Sequence, residues 1–156
     1  MKTYLVLLDF SPGSEETFQT AITFSESANA RLALLNVIQE SIFFDGMGAG
    51  LTEDKETVEA MFSEARSALN EYAKRASDLG LECNVYVLRG SPAVCIAHQA
   101  AQIGADLIFM GSHAHGRLHH ALIGSTLEDV LGSAPCPIVV TPKGMVPKRG
   151  TRLVGS

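Results

Sequence analysis

A chain of 156 residues with 46% hydrophobic and 19% charged side chains has the composition of one globular domain, able to bury about two-thirds of its unfolded surface. Its net charge of −5 argues against a general affinity for nucleic acid or anionic membrane, and no apolar run approaches the roughly 20 residues that cross a bilayer. Cys83, Cys95 and Cys136 are odd in number and lack paired ligand spacing, so they read as reduced thiols acting as small hydrophobes.

The amino terminus leads straight into the run Leu5 to Leu8, too short for a signal-peptide core and closed by Asp9, which points to a cytoplasmic protein. Tyr4 to Leu8 is almost continuously apolar, as a strand covered on both faces in a parallel sheet must be. Ser14-Glu15-Glu16 then opens a helix, with Phe18, Ala21, Ile22 and the run 24–28 at helical spacing and acids at the positive end of its dipole. Leu32 to Ile38 is the second strand. Residues 39–51, with glycines at 46, 48 and 50 and with Phe43 and Phe44, read as a mobile loop. From Thr52 a long helix carries one stripe of Val58, Met61, Phe62, Ala65, Leu69, Tyr72, Ala73 and Ala76 and stops at Gly80. Cys83 to Leu88 is a third strand, Ser91-Pro92 begins a helix that Gly104 closes, and Asp106 to Met110 is a fourth strand. A glycine- and histidine-rich segment follows, then a helix from about Ser125 to Ser133, then a fifth strand at Ile138-Val139-Val140. His98 within the third helix reads as an ordinary, partly buried residue.

Strand and helix alternating in this way predict an α/β fold: an open five-stranded parallel sheet with helices on both faces, right-handed crossovers, and a ligand crevice beyond the carboxyl ends of the strands where their order reverses. The domain spans 1–142. Lys143, Lys148, Arg149 and Arg152 make 143–156 a basic tail with no acid in it, read as a solvated, flexible terminus outside the main fold.

The segment GSHAHGRLHHALIGST, Gly111 to Thr126, holds four of the five histidines. It leaves a strand and enters a helix, so its backbone amides and the helix amino terminus make an anion cradle. Gly111 permits a tight exit and Gly124 a close approach of backbone to phosphate. Ser125 with Glu128 spells the S-x-x-E of a capping box, which on helix-start signals alone needs no ligand, and Glu128 and Asp129 occupy the dipole position that a phosphate would use. His115 and His119, four apart, could join a metal on a helix, with His113 and His120 beside them. No cysteine lies near, which favours a metal-free loop. Neither G-x-S-x-G nor G-x4-G-K-[ST] occurs, and the GMGAG run follows the second strand instead of the first, where a dinucleotide fingerprint belongs.

Met110-Gly111-Ser112-His113-Ala114, nine further residues and then Gly124-Ser125 resemble the loop G-x2-G-x9-G-(S/T) of the universal stress protein family. VLLDFSPGSEE, LLNVI and APCPIVVTP are similar to that family's first strand and D-x-S turn, second strand and last strand, so the resemblance covers residues 2–142. It implies a Rossmann-like, adenine nucleotide alpha hydrolase-like fold and a site for ATP, with Mg²⁺ on the phosphates. Asp9 would meet the ribose, Val37 the adenine through its backbone, and Met110, Gly111, Ser112, His113, Ala114, Gly124, Ser125 and Thr126 the ribose and phosphates. Ala114 departs from the family's second glycine; its methyl disfavours positive φ at a cost of about 1 kcal/mol where that geometry is needed. The resemblance also implies a homodimer through Ile138, Val139 and Val140.

The leading expectation is a stress-response regulator or sensor that binds ATP or a related adenine nucleotide, hydrolyses it slowly at most, and acts on a regulatory partner that the sequence does not identify. The alternatives are a nucleotide-independent dimeric interaction module and a metal-dependent hydrolase built on the four histidines.

Overall fold

The computed structural model of the chain describes residues 1–39, 55–112 and 121–142, with the backbone alone over 121–125. The elements are β1 (Lys2–Leu7), α1 (Ser14–Ala28), β2 (Ala30–Ile38), α2 (Lys55–Asp78), β3 (Cys83–Arg89), α3 (Pro92–Ile103), β4 (Leu107–Gly111), α4 (Ala121–Ser133) and β5 (Ile138–Thr141). The strands form one sheet in the order β3-β2-β1-β4-β5, and every pair is parallel. This is the open sheet expected from the alternation of strands and helices.

The three inner strands, β1, β2 and β4, bury both faces, and their side chains divide between two cores. Tyr4, Val6, Leu8, Leu32, Leu34 and Phe109 meet Phe18, Ile22 and Leu69 of α1 and α2. Leu5, Ala33, Leu35, Ile108 and Met110 meet Ala93, Ile96 and Val130 of α3 and α4. Alternation with a period of two sends neighbours in one strand to opposite cores, which is why a strand buried on both sides reads as an unbroken apolar run. Burying each large aliphatic or aromatic side chain stabilises the fold by about 1.5–3 kcal/mol before chain entropy is set against it.

The helix boundaries follow local chemistry. Pro92 occupies the first turn of α3, where a missing N–H costs nothing, and Gly104 at φ 63° ends that helix by returning its amide to the carbonyls of Ala100 and Ala101. α1 ends in the same left-handed manner at Asn29, φ 51°. Beyond β3, Gly90 has φ 140° while its amide bonds to the Ile38 carbonyl, and a β-carbon there would lie 3.3 Å from the Cys95 sulfur.

Two sequence expectations need correcting. α4 begins at Ala121, four residues before Ser125, so Gly124 and Ser125 lie inside the helix and Ser125 does not cap it. Ala121-Leu122-Ile123 are good or tolerated helix formers, and the helix runs through them ahead of the S-x-x-E signal. His98, expected to be partly buried, is exposed on α3, where it lines an open groove of about 740 Å³ with Val94, Ala97, Glu128 and Asp129.

Candidate functional site

The strand order reverses between β1 and β4: the chain steps from β1 to β2 to β3 on one side, then returns to lay β4 and β5 on the other. A crevice opens at such a point because the connections leaving the two central strands diverge to opposite faces of the sheet. Leu7 is level with Leu35 of β2, and Val6 with Phe109 of β4. Asp9 follows the end of β1 by two residues, Val37 is the penultimate residue of β2, and Ser112 directly follows β4, so all three lie at the carboxyl ends of three adjacent strands. β2 and β4 are two strand spacings apart, about 10 Å, with β1 between them.

The exit of β1 is tightly fixed. The Leu8 amide bonds to the Leu35 carbonyl at 2.9 Å, and the buried Asn36 side-chain amide donates to the Leu8 carbonyl at 2.8 Å. Asp9, half-buried, follows. Its Oδ1 accepts the Ser11 amide and the Ser14 hydroxyl, each at 2.9 Å, and Ser14 is the first residue of α1. Between Asp9 and Ser11 the chain passes through Phe10 at φ 62°, a left-handed conformation that costs a bulky residue roughly 1–2 kcal/mol, and Phe10 is exposed.

Across the crevice, Gly111 is still paired in the sheet, level with Thr141, and the chain leaves β4 only after it. The Ser112 amide bonds to the Thr141 carbonyl at 2.8 Å. Met110 is buried against α3 and α4, so what it can offer a ligand is backbone. Val37 is half-buried and level with Leu88. Thr126 is half-buried on α4. Gly124 falls within the first four residues of α4, whose amides have no partner inside the helix, and Ser125 is the fifth. His113 and Ala114 lie outside the described residues, as do His115, Gly116, Arg117, His119, His120, the segment containing Phe43 and Phe44, and the basic tail from Lys143. The structure therefore brings Asp9, Val37, Met110, Gly111 and Ser112 to the crevice and places the amino-terminal turn of α4 after it in the chain.

Sequence reasoning passed over four polar residues that build this place. Asn36 interrupts an apolar strand, a visible signal that a buried amide has a fixed partner. Ser14 stood in the sequence only as a helix start. Thr17 and Thr141, both buried, share a hydrogen bond of 2.6 Å that ties α1 to the end of β5, and Thr17 also donates to the Gly13 carbonyl at 3.1 Å. Nothing in the spacing of two threonines 124 positions apart announces their contact.

On its outer side α1 is clamped to α2. Arg75 forks onto both carboxylate oxygens of Glu15, one contact at 2.9 Å, and stacks 4.9 Å over Phe18 and 5.3 Å over Tyr72. The hydrogen bond from Arg75 dominates the shift of the Glu15 carboxyl, holding it down at about 2, and the same bond raises Arg75. Burial, then the neighbouring Glu15 charge, pushes the Tyr72 hydroxyl up. Away from the crevice, burial raises the Cys83 thiol to about 12 and raises Cys136 as well, which suits small hydrophobes and not nucleophiles. Among the described residues no three His, Cys, Asp or Glu side chains gather as a metal site, and no helix is long and apolar enough to cross a membrane.

With that geometry in place, comparison with known proteins identifies the class. The universal stress protein family model matches residues 1–142, and the chain belongs to that family. A universal stress protein of Methanocaldococcus jannaschii is 30% identical over 142 residues, covering 91% of this chain and 82% of the relative. Among solved structures, a hypothetical protein whose biochemical function was assigned from its structure superposes with a TM-score of 0.77 at 25% identity, over 93% of this chain and 98% of that one. A universal stress family protein from Arabidopsis thaliana, solved with AMP bound, shares the fold at a TM-score of 0.64 and 13% identity, over 91% and 92% of the two chains.

Proposed function

We propose that this chain binds ATP or a related adenine nucleotide in the crevice between β1 and β4, and that it acts as a stress-response regulator or sensor in the cytoplasm rather than as a fast catalyst. The observation that supports the reading is the position of Asp9, Val37 and Ser112 at the carboxyl ends of β1, β2 and β4, where the strand order reverses. A carboxylate is acceptor-only and takes the donor hydroxyls of a ribose; the extended backbone at Val37 offers an amide and a carbonyl to the edge of a purine; the first amides of α4, which have no partner inside the helix, suit phosphate. The AMP held by the Arabidopsis protein supports an adenine nucleotide as the ligand class. ATP brings Mg²⁺ with it on the phosphates. Any hydrolysis of the nucleotide is expected to be slow.

The second part of the reading is a homodimer through β5. Among the described residues that strand lies at the sheet edge and pairs only with β4, and Val140 on it is 37% exposed. An apolar edge with unpaired backbone groups is a template for a second copy. A regulatory partner would read the occupancy of the dimer.

A nucleotide-independent interaction module is the alternative, favoured by Glu128 and Asp129, which are exposed acids on α4, and by Ala114 in place of glycine. Equilibrium titration with ATP and Mg²⁺ separates the two. Binding at or below millimolar nucleotide is expected, and Gly124→Val, which crowds the start of α4, is expected to abolish it while leaving the far-ultraviolet circular dichroism intact. Absence of binding by the wild-type protein removes the nucleotide reading, and unchanged affinity in Gly124→Val removes α4 as the phosphate site.

A further inference from the structure

Glu128 and Asp129 stand exposed on α4 with nothing in their own helix to account for them. Because α4 begins at Ala121, they are its eighth and ninth residues, past the first turn in which the helix dipole favours acids. No cation lies three or four positions from either, and among the described residues neither carboxylate makes an ion pair. The neighbouring α3 carries no cation either: from Gly90 to Pro142 the chain holds only Arg117. Between the two helices runs the open groove of about 740 Å³, which these acids line together with Ala93, Val94 and Ala97, and Val94 is 67% exposed. One wall is apolar and the other anionic.

The chain itself contains a segment of the complementary kind. Residues 143–156 hold four of its twelve cations and no acid, and within them Met145-Val146-Pro147-Lys148-Arg149 sets two apolar side chains beside two cations. That segment also starts in the right place. β5 ends at Thr141, and Ile138 of that strand shares a core with Leu127 and Val130 of α4, so the tail leaves the sheet beside α4. To reach the groove it has to cross one helix, about 10–12 Å wide with its side chains. The seven residues from Thr141 to Lys148 span up to about 23 Å.

We propose that Met145 to Arg149 of the chain's own carboxyl-terminal tail occupies the α3–α4 groove, instead of extending as a solvated terminus. Met145 and Val146 cover Ala93, Val94 and Ala97, and Lys148 and Arg149 pair with Glu128 and Asp129, their aliphatic stems lying along the apolar wall. A single exposed ion pair is weak, but a tethered segment meets its site at an effective concentration in the millimolar range, at which several weak contacts suffice. The inference goes beyond the nucleotide reading and does not depend on a bound nucleotide.

Backbone ¹⁵N relaxation of the full chain tests the proposal. Order parameters over Met145 to Arg149 are expected near the value of about 0.85 that marks ordered backbone, and to fall below about 0.6 in Glu128→Gln/Asp129→Gln and in about 1 M salt. Lys148→Glu/Arg149→Glu is expected to release the tail in the same way, and adding Glu128→Lys/Asp129→Lys to it is expected to return the order. A wild-type tail below about 0.6 overturns the proposal, and so does order that persists after Glu128 and Asp129 lose their charge. Should those variants not fold, the wild-type protein still decides. Carbodiimide is expected to couple the Lys148 amine to Glu128 or Asp129 at low salt, and absence of that product overturns the proposal. In a mixture of ¹⁴N and ¹⁵N chains the coupled peptides are expected to carry one isotope only; mixed pairs assign the groove to the tail of a second copy and overturn the intramolecular reading.

Discussion

Asn36 shows how one polar side chain in an apolar strand organises its surroundings. Its buried amide satisfies the Leu8 carbonyl at the point where β1 gives way to the crevice. Asn36→Leu keeps the volume and strands that carbonyl, so urea denaturation is expected to show a loss of about 1–3 kcal/mol. Asn36→Asp is expected to be worse at pH 7 than at pH 4, because only the protonated carboxyl can donate to Leu8; ionisation on raising the pH favours the unfolded chain. Glu15 gives a second, opposite case. Its folded carboxyl sits at about 2 against an ordinary 4.5, chiefly through the Arg75 hydrogen bond, so its stabilisation is present above 4.5 and is lost as the pH falls from there toward 2. Both side chains are nearly half exposed, 48% for Glu15 and 44% for Arg75, and solvent screening limits the gain to about 1 kcal/mol or less. Glu15→Gln is therefore expected to cost under about 1 kcal/mol at pH 7 and progressively less as the pH falls from 4.5 toward 2, with the cost shrinking in 1 M salt, all read from urea curves.

At the scale of elements, α1 is held from three sides: by Asp9 at its start, by the Arg75 clamp of α2, and by the Thr17–Thr141 bond to β5. The threonine pair predicts strong coupling. Thr17→Val and Thr141→Val preserve volume and each removes the shared bond, so each is expected to cost about 1 kcal/mol, and the double variant little more than the larger single one. Additive losses in thermal unfolding would show that the pair does not act as a unit. These elements were legible in the sequence to very different degrees. β1, α1, β2, β3, α3, β4 and β5 could be read because apolar runs, Pro92 and Gly104 carry local causes of strand and helix. α4 was placed four residues late because Ser125 and Glu128 imitate a cap that the helix does not use; propensity over Ala121 to Ile123 was the better guide. The partners of Asn36 and Thr17 were not legible, since they depend on how the strands are ordered in the sheet, about which periodicity along one segment is silent; the Ser14–Asp9 bond is local, but no spacing rule announces it. At the candidate site, Asp9, Val37 and Gly111 stand out in the sequence by their resemblance to a family motif; that they lie at the ends of three adjacent strands comes only with the sheet.

For the molecule as a whole, the sheet leaves two edges, β3 and β5, and the proposed dimer uses the second. Sedimentation or light scattering at micromolar concentration is expected to give twice the 16.6 kDa chain mass, and Val140→Lys, which places a charge on the exposed edge residue, is expected to return the monomer. A monomeric wild type would remove β5 as an assembly surface. The central place of β1 bears on something else, the order in which the molecule is completed. Arg31 in β2 reaches back to Thr3 over 28 residues, whereas Thr3 meets Asp106, at the entry to β4, across 103. Closing the shorter loop costs less entropy, so the β1-α1-β2-α2-β3 half can assemble while β1 still presents a bare edge to solvent. The crevice does not exist in that half-built state; it appears when β4 docks. A ligand seated there binds only the finished protein, draws the last docking step forward by mass action, and so registers whether the chain has folded to completion.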